Sequence, residues 1–282
     1  MKYEITARGA EIILEDAFDL KNTFDCGQCF RWTENADGSY TGIVRGRQAS
    51  VISENDKIII EGADSSDMEN IWKVYFDLDN DYNAVRKELA ELCPEVCCAV
   101  ESIDGIRILA QEPWEALCSF IISQNNNIPR IRGIVHRLCE GFGEKCGSGY
   151  SFPPPEALAD LEPEDLSGLR AGFRARYIID AARKVSGGEV NLEKMYSAPM
   201  DECRKELMTI TGVGAKVAEC TLLYGLHRLE AFPIDVWMKK ALATLFSGVS
   251  ADSLGRYAGI AQQYIFHYSR LNPKLVEVNM KE

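Results

Sequence analysis

The chain has 282 residues, 46% of them hydrophobic and 26% charged, enough to bury the core of one large domain or two smaller ones. The opening MKYEITARGAEIILED holds no continuous apolar run, and no later stretch approaches the roughly 20 apolar residues of a membrane span, so neither export nor a membrane is expected. A net charge of -12 excludes a uniformly basic binder of polyanions but not an acidic body with a basic face. Acid gathers at 64–69, 77–81 and 160–165, while base clusters at Arg130, Arg132 and Arg137, at Arg170, Arg174 and Arg176, and at Lys239 and Lys240. The ten cysteines are scattered, with Cys97 and Cys98 adjacent, which fits a reducing, cytoplasmic setting better than a disulfide framework.

In chain order, β-rich runs come first, at 11–14, 40–44, 48–53 and 57–61. Asn35-Ala-Asp-Gly38 and Asn55-Asp56 supply turn chemistry between them, so the pairing is expected to be antiparallel. Helices are expected over 66–76 and 81–92, before Pro94 breaks the pattern. Beyond Cys98 helical periodicity takes over. This reading divides an α+β chain into an N-terminal antiparallel β domain with two helices, 1–98, and a helical body of two lobes, 99–282. Pro113 opens a helix through Ile122, and the next carries Ile128, Ile131, Val135 and Leu138 on one face until Gly141 and Gly143 stop it. Phe152-Pro-Pro-Pro-Glu156 is a stiff loop, and further helices fit 176–185, 200–210, 215–226, 236–246 and 253–269.

The most informative stretch is Leu207-Met-Thr-Ile-Thr-Gly-Val-Gly-Ala-Lys-Val-Ala-Glu-Cys220. One helix ends, a Gly-x-Gly turn follows and a second helix starts, a helix-hairpin-helix pattern. Gly212 and Gly214 are expected to admit backbone conformations that a Cβ would block, so that main-chain N–H groups approach a phosphate. A helical corner packed on glycines is the alternative. Lys216 falls in the first turn of the second helix, where a cation opposes the helix dipole, so something other than helix stability accounts for it. A lysine amine attacks carbon only when neutral, which burial or cationic neighbours promote; a solvated or phosphate-contacting lysine is the plainer alternative. Asp235, in Ala231-Phe-Pro-Ile-Asp-Val-Trp-Met238, stands at the start of the next helix. It is placed to cap that helix and also to stabilise positive charge on a reacting sugar.

Six ordered segments now carry a resemblance: Gly27-Gln-Cys-Phe-Arg-Trp32, Asn125-Asn-Asn-Ile-Pro-Arg130, Gly172-Phe-Arg-Ala-Arg-Tyr177, Gly212-Val-Gly-Ala-Lys216, Pro233-Ile-Asp235 and Ala261-Gln-Gln-Tyr-Ile-Phe266. Over nearly its whole length the chain resembles the 8-oxoguanine DNA glycosylases of the helix-hairpin-helix superfamily, and more closely their bacterial branch. The resemblance implies an N-terminal domain like the TATA-binding fold and a helical body enclosing a base pocket. It implies Lys216 as the nucleophile at C1′, forming a Schiff base that permits β-elimination, with Asp235 as its partner. By the same resemblance the Gly27 carbonyl accepts the N7 hydrogen of 8-oxoguanine, Gln262 bonds the Watson–Crick edge, Phe266 stacks on the base and Cys220 closes the other face. Spacing alone places Cys220 on the face of Lys216. Asn125, Arg130 and Arg174 match positions holding the orphaned cytosine, Phe173 matches a wedge that is tyrosine in eukaryotic members, and Trp237 matches a histidine near the DNA phosphate. Read from the residues alone, the asparagine run fits a loop and an N-cap, above all at Asn127. Tyr224 stands where those members carry methionine. The implied partner is double-stranded DNA with 8-oxoguanine opposite cytosine, met by a monomer.

No cofactor is expected. Cys26-Gly-Gln-Cys29 has zinc-knuckle spacing but lacks a second ligand pair, and His136, His227 and His267 show no partner spacing. An iron–sulfur cluster needs closely spaced cysteines near the C-terminus, and none follows Cys220. The acidic run at 77–81 lacks the glycine of a calcium loop, with Tyr82 in its place. The carbonyls of Thr211 to Gly214 offer a seat to a monovalent cation. Two other functions remain open: an alkylated-base glycosylase of the same superfamily, against which Lys216 argues, and a non-catalytic DNA-binding module.

Overall fold

The computed structural model describes residues 2–278. Six strands, β1 (Lys2–Thr6), β2 (Gly9–Ile13), β3 (Thr33–Glu34), β4 (Tyr40–Val44), β5 (Arg47–Glu54) and β6 (Lys57–Glu61), form one antiparallel sheet in the order β1-β2-β6-β5-β4-β3. Both expected turns are present. Asn55 and Asp56 take φ of 52° and 59°, the conformation a two-residue hairpin between β5 and β6 demands, and Asn35 to Gly38 joins β3 to β4. The register pairs Val51 with Ile60 and Tyr40 with Val51, so alternate residues reach one buried face. Ile12, Val51, Ile58 and Ile60 are fully buried there against Phe24, Trp32, Trp72 and Phe76. Phe24 and Trp32 stack with centroids 4.3 Å apart, and the Trp32 indole N–H donates to the Tyr75 hydroxyl at 2.7 Å.

Local sequence signals miss several short elements. β1 is an edge strand whose side chains are largely exposed, so it lacks apolar alternation. The helix Leu20–Asp25 is six residues long and depends on its Asp19 cap, which accepts from the Asn22 N–H at 2.6 Å. The helices expected over 66–76 and 215–226 each contain a π-helical stretch, Met68–Trp72 and Thr221–Gly225. The last long helix is Ala258–Leu271, reached through a capped turn at Ala251–Leu254.

A second core fills the helical body, built on Pro113–Ser123, Ile128–Phe142, Arg174–Ser186 and Ala258–Leu271. The helix Tyr82–Leu92, grouped by sequence with the β domain, buries Tyr82, Val85 and Leu89 in this core instead. Residues 104–112 form a connecting segment without helix or strand between the two cores. On that segment Arg107 is buried between the Phe18 and Tyr82 rings, pairs with Asp16 and donates to the Asp77 carbonyl at 3.0 Å. The β and helical halves thus share one polar seam.

Two groups near this seam make stability depend on pH. Burial opposes ionisation of Asp77, but His227, Asn80 and Tyr82 outweigh it and hold the carboxyl below 3.8. Burial, helped by Arg270, holds the His267 imidazole below 6.5. Both folded values are depressed, so each contribution is complete above the ordinary value and is lost as pH falls from there through the folded one. The melting temperature is therefore expected to be level from pH 7 to 8, to fall below about 6.5, where His267 of the unfolded chain takes up a proton that the fold resists, and to fall further below about 4. A His267→Gln variant should flatten the first of these slopes in a melting series.

Candidate active site

The hairpin forms as its sequence demands, with one qualification. Met200–Leu207 ends, the chain turns through a Val213 N–H to Ile210 carbonyl bond of 3.0 Å, and Ala215–Cys220 begins at Gly214. Gly212 has φ +80°, and a Cβ there would stand 2.3 Å from the Tyr177 ring. Gly214 does not share this constraint: its φ of -103° is ordinary and a Cβ would meet open space. Only Gly212 is required by the backbone. Gly214 instead leaves the start of the helix without a side-chain cap, its first N–H groups unobstructed.

Lys216 is half-buried in the first turn of that helix. Its Nζ donates to the Ser123 hydroxyl at 3.1 Å and sits 4.8 Å from the centroid of the Phe120 ring. One turn on, burial pushes the Cys220 thiol up to about 11, with Lys216 pulling the other way. Asp235 caps the helix Val236–Thr244, accepting from the Met238 N–H at 2.8 Å. Its N-capping role is thus present alongside whatever its charge does for chemistry.

These groups line one recess together with Gly27, Phe120, Tyr224, Gln262 and Phe266. The inner recess measures about 40 Å³, room for about three waters and too small to hold a nucleobase as it stands. It opens on an outer cleft of about 230 Å³ bordered by Asn126, Ile128, Trp237 and Arg270. A larger cleft of about 430 Å³, beside Arg31, Gln48 and His136, shares no residue with the recess.

Six expected residues therefore meet in one place: Lys216, Asp235, Gly27, Cys220, Gln262 and Phe266. Asn125, Arg130, Phe173, Gly212 and Gly214 are exposed, and Trp237 is half-exposed on the outer cleft. Asn125 has φ +47°, and Asn127 is the N-cap of Ile128–Phe142, as its position before that helix predicts. Arg174 departs from expectation. It is 3% exposed, and its guanidinium donates to the carbonyls of Gln124, Asn125 and Ala171. In this arrangement its donors hold the asparagine loop in shape and do not project toward a base edge. Sequence reading missed Phe120, Ser123 and Gln263, which lie in apolar or buried helix positions that no local pattern distinguishes.

Residues 12–117 match the model of the 8-oxoguanine DNA glycosylase N-terminal domain, and residues 118–253 that of the HhH-GPD superfamily base excision DNA repair proteins. The chain belongs to the 8-oxoguanine DNA glycosylase family. It is 36% identical over 259 residues to an N-glycosylase/DNA lyase of Saccharomyces cerevisiae, a match covering 78% of this chain and 66% of the yeast protein. A structure of MBOgg1 with a low-affinity DNA ligand superposes with a TM-score of 0.91 at 41% identity, covering 97% of this chain and all of that one, 100%. The 8-oxoguanine glycosylase/lyase of Clostridium acetobutylicum, bound to duplex DNA with cytosine opposite 8-oxoG, gives 0.90 at 36%, covering 97% and 99%. As a member of this glycosylase family the chain joins an antiparallel sheet to a helix-hairpin-helix body.

The two hairpin glycines should separate on substitution. Gly212→Ala meets both the left-handed φ and the Tyr177 ring and should cost about 1–3 kcal/mol, whereas Gly214→Ala should stay within about 0.5 kcal/mol of wild type. Denaturant titration measures both.

Proposed function

We propose that this chain is a bifunctional glycosylase and β-lyase that removes 8-oxoguanine from duplex DNA and then nicks the strand. The observation that carries the reading is the convergence of Lys216 and Asp235 on a recess bounded by Gly27, Gln262 and Phe266. The damaged nucleotide leaves the stack and enters that recess, and Phe173, exposed at 47%, is the wedge that occupies its place. The neutral amine of Lys216 attacks C1′, the bond from C1′ to N9 breaks, and the base departs with its electron pair and takes up a proton. Asp235 stabilises the positive charge on the sugar while that bond breaks. The ring of the resulting aminal then opens, the C1′–O4′ bond breaking as O4′ takes up a proton and the nitrogen gives one up, and the imine so formed loses a C2′ proton, expels the 3′ phosphate and is hydrolysed to free the lysine. These steps need no redox cofactor and no metal.

Substrate discrimination in this reading rests on the Gly27 carbonyl, which accepts the N7 hydrogen that 8-oxoguanine has and guanine lacks. One hydrogen bond is worth about 0.5–1.5 kcal/mol, so Gln262 and Phe266 must add to the selection, with Cys220 closing the other face. Asn125 and Arg130 are placed outside the recess to read an orphaned cytosine. The hairpin, with a monovalent cation on the carbonyls from Thr211 to Gly214, and Trp237 contact the backbone. One copy of the chain holds every group the reaction uses.

Borohydride trapping tests the amine. A covalent adduct is expected when wild-type protein meets a duplex with 8-oxoguanine opposite cytosine, and none with Lys216→Gln or undamaged DNA. Free base without an adduct would favour a glycosylase working through Asp235 alone, and neither product would leave a DNA-binding module.

Asp235→Asn separates capping from chemistry, because an amide oxygen still accepts from Met238. Stability should change by less than about 1 kcal/mol, and base removal should slow by about 10²–10³, measured by melting and single-turnover excision.

A further inference from the structure

Three buried polar side chains behind the recess form a connected chain. Gln262 is 4% exposed, Gln263 1% and Tyr224 4%, and consecutive glutamines buried on one helix call for partners. The Gln263 Nε2 donates to the Cys26 carbonyl at 3.2 Å. The Tyr224 hydroxyl lies 2.5 Å from Gln263 Oε1 and 3.3 Å from Gln262 Oε1. Its ring is stacked on Phe120, with centroids 5.2 Å apart.

Hydrogen-bond arithmetic orients this chain. The Cys26 carbonyl only accepts, so Gln263 must turn its nitrogen to Cys26 and its oxygen to Tyr224. The phenol has one hydrogen, and the shorter contact takes it. Burial raises the Tyr224 hydroxyl well above its ordinary value of 10.0, so that hydrogen stays in place at neutral pH. Toward Gln262 the phenol oxygen is left only as an acceptor. A half-turn of the Gln262 amide, which exchanges its oxygen and nitrogen, then satisfies both groups.

We propose that Tyr224 and Gln263 are positioning residues that fix the Gln262 amide with its nitrogen on Tyr224 and its oxygen facing the recess. The chain runs from the loop carrying Gly27 to the side chain that meets the base, so both recognition groups are set by one network. An amide oxygen facing the recess accepts from a base edge that presents donors, the N1 hydrogen and N2 amine of a guanine-type base. This rests on the excision activity proposed above.

The test compares wild type, Tyr224→Phe, Gln263→Leu and the double variant in two single-turnover assays. One follows excision of 8-oxoguanine opposite cytosine; the other follows β-elimination on the same duplex with a preformed abasic site, where no base needs to be read. Each single variant is expected to excise about tenfold more slowly, the equivalent of one hydrogen bond, with abasic cleavage unchanged. The double variant should be no slower than the slower single one, because both break the same relay. Excision at the wild-type rate in either single variant overturns the proposal. So does equal loss of both activities, which marks a structural role, or losses that multiply in the double variant. If Gln263→Leu lowers the melting temperature, the unbranched Gln263→Met replaces it. Wild type that excises no 8-oxoguanine sinks the underlying activity; wild type that excises it beside unimpaired variants sinks the relay alone.

Discussion

Gln28 has no exposed surface, and its side-chain amide is fully engaged by main chain. The nitrogen donates to the carbonyls of Thr23 at 2.9 Å and Arg107 at 2.7 Å, and the oxygen accepts from the Leu109 N–H at 2.9 Å. Its own carbonyl accepts from the Gln111 side chain at 2.8 Å. A buried amide left without these partners would cost about 1–3 kcal/mol, so the loop at 26–28 and the connecting segment at 104–112 hold each other in one register. Gly27 owes its place beside Phe266 to that constraint. The segment also carries the Gln111 N–H, which donates to the Tyr224 carbonyl at 2.8 Å, and so ties the hairpin's second helix to the same frame. Elements from the β domain, the 104–112 segment and the helical body thus reach the recess through one polar seam.

Charge follows a similar division. Arg31, Arg107 and Arg132 are paired with Glu115, Asp16 and Asp25, so these arginines brace the packing around the loop without adding a net positive field. Arg130, Lys239 and Lys240 form no ion pair among the described residues, and the Lys240 ammonium lies 5.7 Å from the centroid of the Trp237 ring that borders the outer cleft. A chain with net charge -12 thereby keeps some of its basic groups uncompensated.

What was legible in the sequence follows from how far each signal travels along the chain. β4 and β6 were read with their observed bounds because turn residues and apolar alternation are local. Lys216 and Asp235 stood out because each occupies a helix start, one against the dipole and one in keeping with it. The recess itself was not legible from spacing: Gly27, Cys220 and Gln262 are far apart in sequence and were linked only by resemblance. Arg174 shows the limit. The resemblance implied an outward contact with a base, while here its guanidinium turns back onto three carbonyls. Nothing local in the sequence distinguishes an arginine that meets solvent from one that satisfies a loop's acceptors. Gly214 illustrates the converse, a glycine whose value lies in the missing side chain and not in its φ.

All ten cysteines are free thiols, and their distribution bears on chemical durability. Oxidants attack the thiolate far more readily than the thiol. Burial raises Cys220 to about 11 and Cys26 to about 12, so these two thiols, one lining the recess and one beside Gly27, are nearly inaccessible and remain almost wholly protonated at neutral pH. Cys98 is exposed, and Cys97 and Cys146 are partly so. Peroxide would therefore meet sulfur at the periphery first, and the pocket would keep its shape under the oxidising conditions that also damage guanine.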